Sequence, residues 1–204
     1  EAIELRRAEI TAPILILSQI DRRRIPELLE YNITETVFSA EFAKSLSEEA
    51  LKTGKTARIH IKLDTGMGRV GFPAVPDSVP EILEIAGMPG LFPEGIFTHF
   101  ATSDEPDNEY CERQFEKFMT TVGELQARGL RFPIRHVCNS AALMRFPNMH
   151  LDMVRAGLIL YGMWPKGCPE AYQPITLKPV MTLKTAVIHV KELPEGEAVS
   201  YGRH

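Results

Sequence analysis

The stretch Lys62–Gly71 reads KLDTGMGRVG, and within it Gly66–Gly71, GMGRVG, has the G-x-G-x-x-G spacing of a dinucleotide-binding turn. A turn of that kind opens a helix at its third glycine, so that the free amides of the helix start face pyrophosphate. It would make the fold an open, doubly wound sheet. Here the third glycine is followed by FPAVPDSVPE, which holds three prolines. Proline removes amide donors and biases the residue before it toward extended backbone, so no helix can begin there. Nor does an acidic residue stand at the end of a next strand about 20 positions on, where a ribose would need it. The glycines instead read as a tight loop that carries Arg69 back over a strand end. There a guanidinium can grip a carboxylate or phosphate through two parallel hydrogen bonds.

Outward from this loop, short apolar strands alternate with helical stretches. Strand character marks Pro13–Ser18, Glu35–Ala40, Ala57–Leu63, Gly95–Phe100, Ile134–Asn139 and part of Met153–Gly162. Helical spacing marks Ala2–Arg7, Asp21–Tyr31, Glu41–Thr53, Pro80–Ala86, Glu109–Ala127 and Ser140–Arg145, with the Phe115, Phe118, Val122, Leu125 stripe turned to a core. That rhythm means a parallel sheet. Two α/β architectures remain, and the polar residues separate them. Lys62, Asp64, His99, Asn139, Ser140 and Arg155 come from four different units. An open sheet focuses chemistry at one switch point, whereas a barrel gathers all its strand tips in one ring. The expected fold is therefore α/β, a partial (β/α)8 TIM-type barrel of about six of the eight units. Beyond Pro174 the pattern changes to period-two alternation in TLKTAVIHVKELPEGEAVSYG, read as the start of an antiparallel β domain. The expected division is a barrel over 1–171 and the β segment over 172–204.

Composition narrows the function. The chain has 204 residues, 44% hydrophobic and 25% charged, with net charge −4. No basic excess exists to counter a phosphate backbone, which argues against nucleic-acid binding. No run of 18 apolar residues exists to span a membrane. Cys111, Cys138 and Cys168 lack metal-type spacing and read as reduced thiols of a cytoplasmic protein.

Five segments taken together resemble the alanine racemase family, which depends on pyridoxal 5′-phosphate: KLDTGMGRVGF (Lys62–Phe72), THFATSDEP (Thr98–Pro106), HVCNSAALMRFP (His136–Pro147), DMVRAGLILYG (Asp152–Gly162) and VSYG (Val199–Gly202). The resemblance implies a cofactor-carrying barrel followed by a β domain, in a homodimer whose subunits share active sites. It implies interconversion of L- and D-alanine by two acid/base groups, in supply of D-alanine for peptidoglycan.

Residue by residue, the resemblance makes Tyr201 one acid/base group, acting in the partner subunit's site. It makes Arg69 the holder of the substrate carboxylate and gives the cofactor His99 against its ring, Arg155 at its ring nitrogen, and Ser140, Gly157 and Leu158 at its phosphate. Lys62, carbamylated in some members, would brace Arg69, with His136 and Asn139 as supports. The family's second acid/base group is a lysine in a V-K-A-N-A-Y-G-H context, which also links covalently to the cofactor. Nothing like it occurs here, so the chain is expected to be a fragment, lacking that segment and most of the β domain, and unable to racemise alone. Two other readings stand beside this one. His60, His99, His136 and a carbamylated Lys62 could serve a metal-dependent barrel hydrolase, and the same barrel could be a non-catalytic pyridoxal phosphate carrier.

Overall fold

The structure is a computed structural model, and it describes residues 1–165, 167, 175–199 and 201–202. Four parallel strands run in chain order across one sheet: β1 (Glu35–Val37), β2 (Ala57–Asp64), β4 (Leu91–Phe97) and β5 (Ile134–His136). β3 (Phe72–Pro73) pairs with the end of β2, and an isolated parallel bridge between Leu15 and Thr34 extends the sheet past β1. Each strand lies beside its predecessor, and the order never reverses. A doubly wound sheet must reverse at a switch point; a singly wound arc is part of a barrel.

Each strand is followed by a helix that packs on the outside of the arc. These are α2 (Ile25–Glu30) after the bridge, then α3 (Ala40–Thr53), α4 (Val79–Ala86), α5 (Glu109–Ala127) and α6 (Ser140–Arg145); α1 (Ala2–Arg7) precedes them. α3 shows why these segments are helical. Ser39 caps its first turn by accepting from the Phe42 amide at 3.4 Å, Gly54 ends it in the left-handed region at φ 63°, and Phe42, Ala43, Leu46 and Ala50 form its buried face. On α5, Cys111, Phe118, Val122 and Leu125 are buried at helical spacing, with Phe115 packed against the same core. Ile59, Ile61 and Leu63 meet these faces from the sheet. At about 25 cal/mol per Å² of apolar surface removed from water, this layer between sheet and helices is the main stabilising term.

The other side of the sheet is the barrel interior. Register places Thr36, His60, Gly95 and Ile134 in one row across the strands, and Lys62, Phe97 and His136 in the next. A barrel interior normally fills with branched apolar side chains; this one is basic and aromatic.

The structure departs from the sequence reading in three places. Met153–Gly162 forms no strand. Asp152 and Arg155 donate their amides to the Arg135 and Cys138 carbonyls, at 3.1 and 3.0 Å, as a neighbouring parallel strand would. Gly157 then turns at φ −122°, ψ −96°, outside the extended region, and Leu158–Tyr161 winds into a 3-10 turn. Five units are therefore present among the described residues, not six. The second departure is β4, which begins at Leu91 rather than Gly95. Pro93 looks like a strand breaker, but the pairing with β2 shifts register between Ile59 and His60, and this bulge accommodates it. Third, residues 176–194, expected to open the antiparallel domain, carry no strand pairing and are exposed. An antiparallel ladder needs a partner strand, and the described residues offer none. The expected boundary at 171/172, Cys168 and Ser200 of VSYG lie outside the described residues.

Candidate active site

The loop after β2 rests on its glycines. Gly66, Gly68 and Gly71 take φ of 138°, 68° and 130°, which side-chain-bearing residues adopt only under strain. The Asp64 carboxylate accepts the Gly66 and Gly68 amides at 2.9 and 3.1 Å. Burial alone would raise its pKa, but these amides hold it below the ordinary value. The chain turns back at Gly71, so β3 lies against Leu63 and Asp64. Arg69 is thereby carried to the rim formed by the strands' C-terminal ends, exposed beside residues 14–18 in a cleft of about 660 Å³. No helix follows until Pro76–Ser78 and α4, so the dinucleotide reading is excluded.

A second cavity on that rim, of about 390 Å³, is lined by His99, Asn139, Ser140, Arg155, Gly157 and Leu158, among others. The resemblance named all six, from three separate stretches of sequence. Asn139 rather than Ser140 is the helix cap. Its side chain accepts the Ala142 amide at 3.1 Å and the Ser103 hydroxyl at 2.8 Å. Ser140, first residue of α6, accepts the Gly157 amide at 2.9 Å, which leaves the hydroxyl hydrogen to donate elsewhere.

Arg155 is half-buried and held on several sides. Its guanidinium donates to the Thr98 and Val137 carbonyls at 2.7 and 3.0 Å and to His136 Nδ1 at 2.5 Å, with His99 Nδ1 at 3.4 Å. Burial lowers its pKa to about 10, so it stays charged near neutrality. His99 is lowered to about 4 by burial, then by the charges of Arg155, Arg69 and Lys62. Lys62 points into the barrel. Its ammonium donates to the Leu63 carbonyl at 2.6 Å and lies 5.5 Å over the Phe97 ring. Burial lowers it to about 8, against the pull of Asp64 and with the push of Arg155 and Arg69.

Several contributors were not singled out in sequence. Phe97 stacks on His136, with centroids 4.6 Å apart and planes within 6°, and lies 5.3 Å from the Arg155 guanidinium. Arg145 donates to the Ser103 and Pro106 carbonyls at 2.6 and 3.1 Å, and also to Glu105 and Asn108, which pins the loop over the cavity. Gly95 leaves room for an imidazole, since a Cβ there would lie 2.4 Å from His60 Cε1. His60 is bonded to His136 at 2.9 Å and cannot withdraw. Gly95→Ala is therefore expected to separate the two imidazoles and cost about 1–3 kcal/mol. Denaturant unfolding at wild-type stability would contradict that. Only the parity of Phe97 and His99 in GIFTHF hinted at the first of these residues.

Tyr201 is not brought to this cavity; it stands 98% exposed. Among the described residues, no three His, Cys, Asp or Glu side chains converge as a metal-holding group. His60 and His136 spend their facing nitrogens on each other. No helix among the described residues is long and apolar enough to cross a membrane.

Fold and site together define a partial TIM-type barrel with a cationic, imidazole-lined cavity on its C-terminal rim. The family profile for alanine racemase, N-terminal domain, matches residues 1–165. The alanine racemase of Clostridium tetani is 46% identical over 203 residues, covering 100% of this chain and 52% of its own length. That of Desulforamulus reducens is 45% identical over 202 residues, covering 99% of this chain and 54% of its own length. Among solved structures, alanine racemase of Clostridium difficile 630 in complex with cycloserine matches at TM-score 0.88 and 40% identity, over 94% of this chain and 52% of that one. The chain belongs to the alanine racemase family, and it spans about half the length of the curated relatives it matches.

Proposed function

We propose that the whole protein interconverts L- and D-alanine with pyridoxal 5′-phosphate, as a cytoplasmic homodimer that supplies D-alanine for peptidoglycan. The observation that carries this is the second cavity, where one donor set for a phosphate and another for a pyridine nitrogen line the same space. The Ser140 hydroxyl hydrogen and the backbone amides of Gly157 and Leu158 suit a phosphate dianion, which accepts hydrogen bonds and carries no proton to share. A neutral His99 suits the face of an aromatic ring. Bound there, the cofactor would supply an electron sink for the α-carbanion.

Arg155 decides how strong that sink is. A guanidinium only donates hydrogen bonds, so a ring nitrogen facing it would remain an unprotonated acceptor. A carbanion would then be stabilised less than beside a carboxylate partner, which suits a simple proton exchange. Arg69 would hold the substrate carboxylate from the glycine loop. Lys62, partly neutral near pH 8, would add carbon dioxide and lose a proton. The repulsion between two cations would thereby become attraction between Arg69 and a carbamate. His136 and Asn139 would act as supports, the first against Arg155 and the second at the α6 cap. Tyr201, exposed on the segment that follows a barrel over 1–171, would take or return the α-proton in the partner subunit's site.

The test is α-proton exchange by full-length protein carrying Tyr201→Phe. Exchange from L-alanine is expected to fall at least about 100-fold, the lower range of one general acid/base group, and far more than exchange from D-alanine. Equal loss from both enantiomers would contradict the role given to Tyr201.

A further inference from the structure

A line of polar groups crosses the barrel interior from the site to its opposite end. Arg155 meets His136 Nδ1. His136 Nε2 lies 2.9 Å from His60 Nδ1. His60 Nε2 is 3.6 Å from Glu94 Oε2, an electrostatic contact rather than a hydrogen bond. Glu94 is held in turn by Arg58 at 2.6 Å and by the Thr34 hydroxyl at 3.3 Å.

The direction of this line follows from chemistry. Arginine has no acceptor, so His136 Nδ1 must be bare and accept. A neutral imidazole has one N–H, which then sits on Nε2 of His136 and faces His60. His60 Nδ1 must accept it, which leaves the His60 proton on Nε2, aimed at the Glu94 carboxylate. A proton on the other nitrogen of either ring would bring two donors face to face. Burial holds both imidazoles neutral, lowering His136 to about 2 and His60 to about 4.

Local sequence accommodates the far end. The shift between Ile59↔Pro93 and His60↔Gly95 makes Glu94 the extra residue of the β4 bulge, and bulges re-aim side chains. Gly95 takes the register position opposite His60, where any Cβ would strike its ring. Proline, glutamate and glycine in succession thus admit one imidazole and one carboxylate to the interior.

We propose that His60 and Glu94 are positioning residues: a one-way relay from Arg155 through His136 and His60 to the Glu94 carboxylate fixes the guanidinium's aim and gives it a counter-charge at the far end of the barrel. The part concerning the cofactor rests on Arg155 facing a pyridine nitrogen, as read above. The relay itself does not.

The experiment is long-range proton–nitrogen correlation NMR on the nitrogen-15-labelled full chain at neutral pH, without cofactor. His60 and His136 are both expected as neutral Nε2–H tautomers, and either ring as Nδ1–H or imidazolium overturns the relay. In Glu94→Ala the His60 Nε2–H signal is expected to be lost to solvent exchange, and the separate Arg155 Nη–H signals to merge as the guanidinium rotates freely. Unchanged signals overturn the role of Glu94. Should that variant not fold, the wild-type tautomers still decide. Pyridoxal 5′-phosphate titrated into both proteins is expected to bind the variant about fivefold more weakly, the size of one net hydrogen bond. Equal affinity overturns the relay's effect on the cofactor. Wild-type protein that binds no pyridoxal phosphate but shows both Nε2–H tautomers sinks the cofactor reading and supports the relay. Wild-type protein that binds it with either ring as Nδ1–H does the reverse.

Discussion

Between pH 7 and 4.5 the protein is expected to lose about 5 kcal/mol of stability, most of what a domain of this size ordinarily has. Three imidazoles are responsible. Burial lowers His60 and His99 from 6.5 to about 4 and His136 from 6.5 to about 2. As pH falls through 6.5 the unfolded chain takes up a proton at each, while the folded protein takes up none until about 4 or below. Stability from these groups is therefore complete above 6.5 and lost on acidification. Glu35 works against them. It is fully buried with one carboxylate oxygen unpartnered, and burial raises it from 4.5 to about 8, against the Ile20 and Thr36 amides that lower it. The folded protein thus holds a proton there that the unfolded chain releases, so Glu35 stabilises increasingly as pH falls from 8 to 4.5. Three imidazoles less one carboxyl leaves two protons taken up on unfolding, a slope of about 2.7 kcal/mol per pH unit. Denaturant midpoints across this range measure it. Glu35→Gln removes the opposing group and is expected to steepen the slope by about half. A midpoint that stays flat from pH 7 to 4.5 would show that the interior imidazoles are solvated.

Those imidazoles mark where sequence reading stopped. His60 and Lys62 share a strand face by parity alone, and that much was readable. That His60 meets His136, 76 residues on, depends on how β4 sits between β2 and β5. That Glu94 joins them depends on a bulge, and one extra residue in a ladder leaves no periodic trace in sequence. Local signals carried the helices much further. α5 and α6 begin and end where the apolar spacing and flanking residues place them. Asn139 as the cap in place of Ser140 is a one-residue difference that propensity cannot resolve, since both side chains cap well. Met153–Gly162 failed for the opposite reason: its apolar run is strand-like, but Gly157 can leave the extended region at little cost and does. The barrel itself was legible because its argument was global. Polar residues at the ends of several strands can meet only if the sheet curls, and the unreversed strand order agrees. The cavity was legible through a family pattern, whereas its Phe97 and Arg145 walls were not, because each acts through a neighbour that only packing supplies.

Gly71→Ala is expected to cost about 3–5 kcal/mol and to displace the loop bearing Arg69. Two effects add at this position. The backbone sits at φ 130°, where an L residue is strained by about 1–3 kcal/mol. A Cβ would also lie 2.6 Å from the Asp64 nitrogen and 2.7 Å from the Leu63 carbonyl carbon. Those are backbone atoms of β2, and no rotamer change relieves the contact. Relief requires β3 to leave β2, breaking the Leu63↔Phe72 and Asp64↔Pro73 pairing and exposing Phe72, which is 4% accessible. Gly68 separates this collision from the general cost of replacing glycine. It lies in the same loop at φ 68°, and a Cβ there meets nothing within 4 Å, so Gly68→Ala is expected to cost only about 1–2 kcal/mol. Denaturant unfolding of the pair measures the difference, and protease cleavage after Arg69 reports the loop. Equal destabilisation of the two variants would mean that the chain does not cross β2 at Gly71. The loop would then lose its anchor over the strand, and with it the argument that these glycines serve Arg69 rather than a nucleotide.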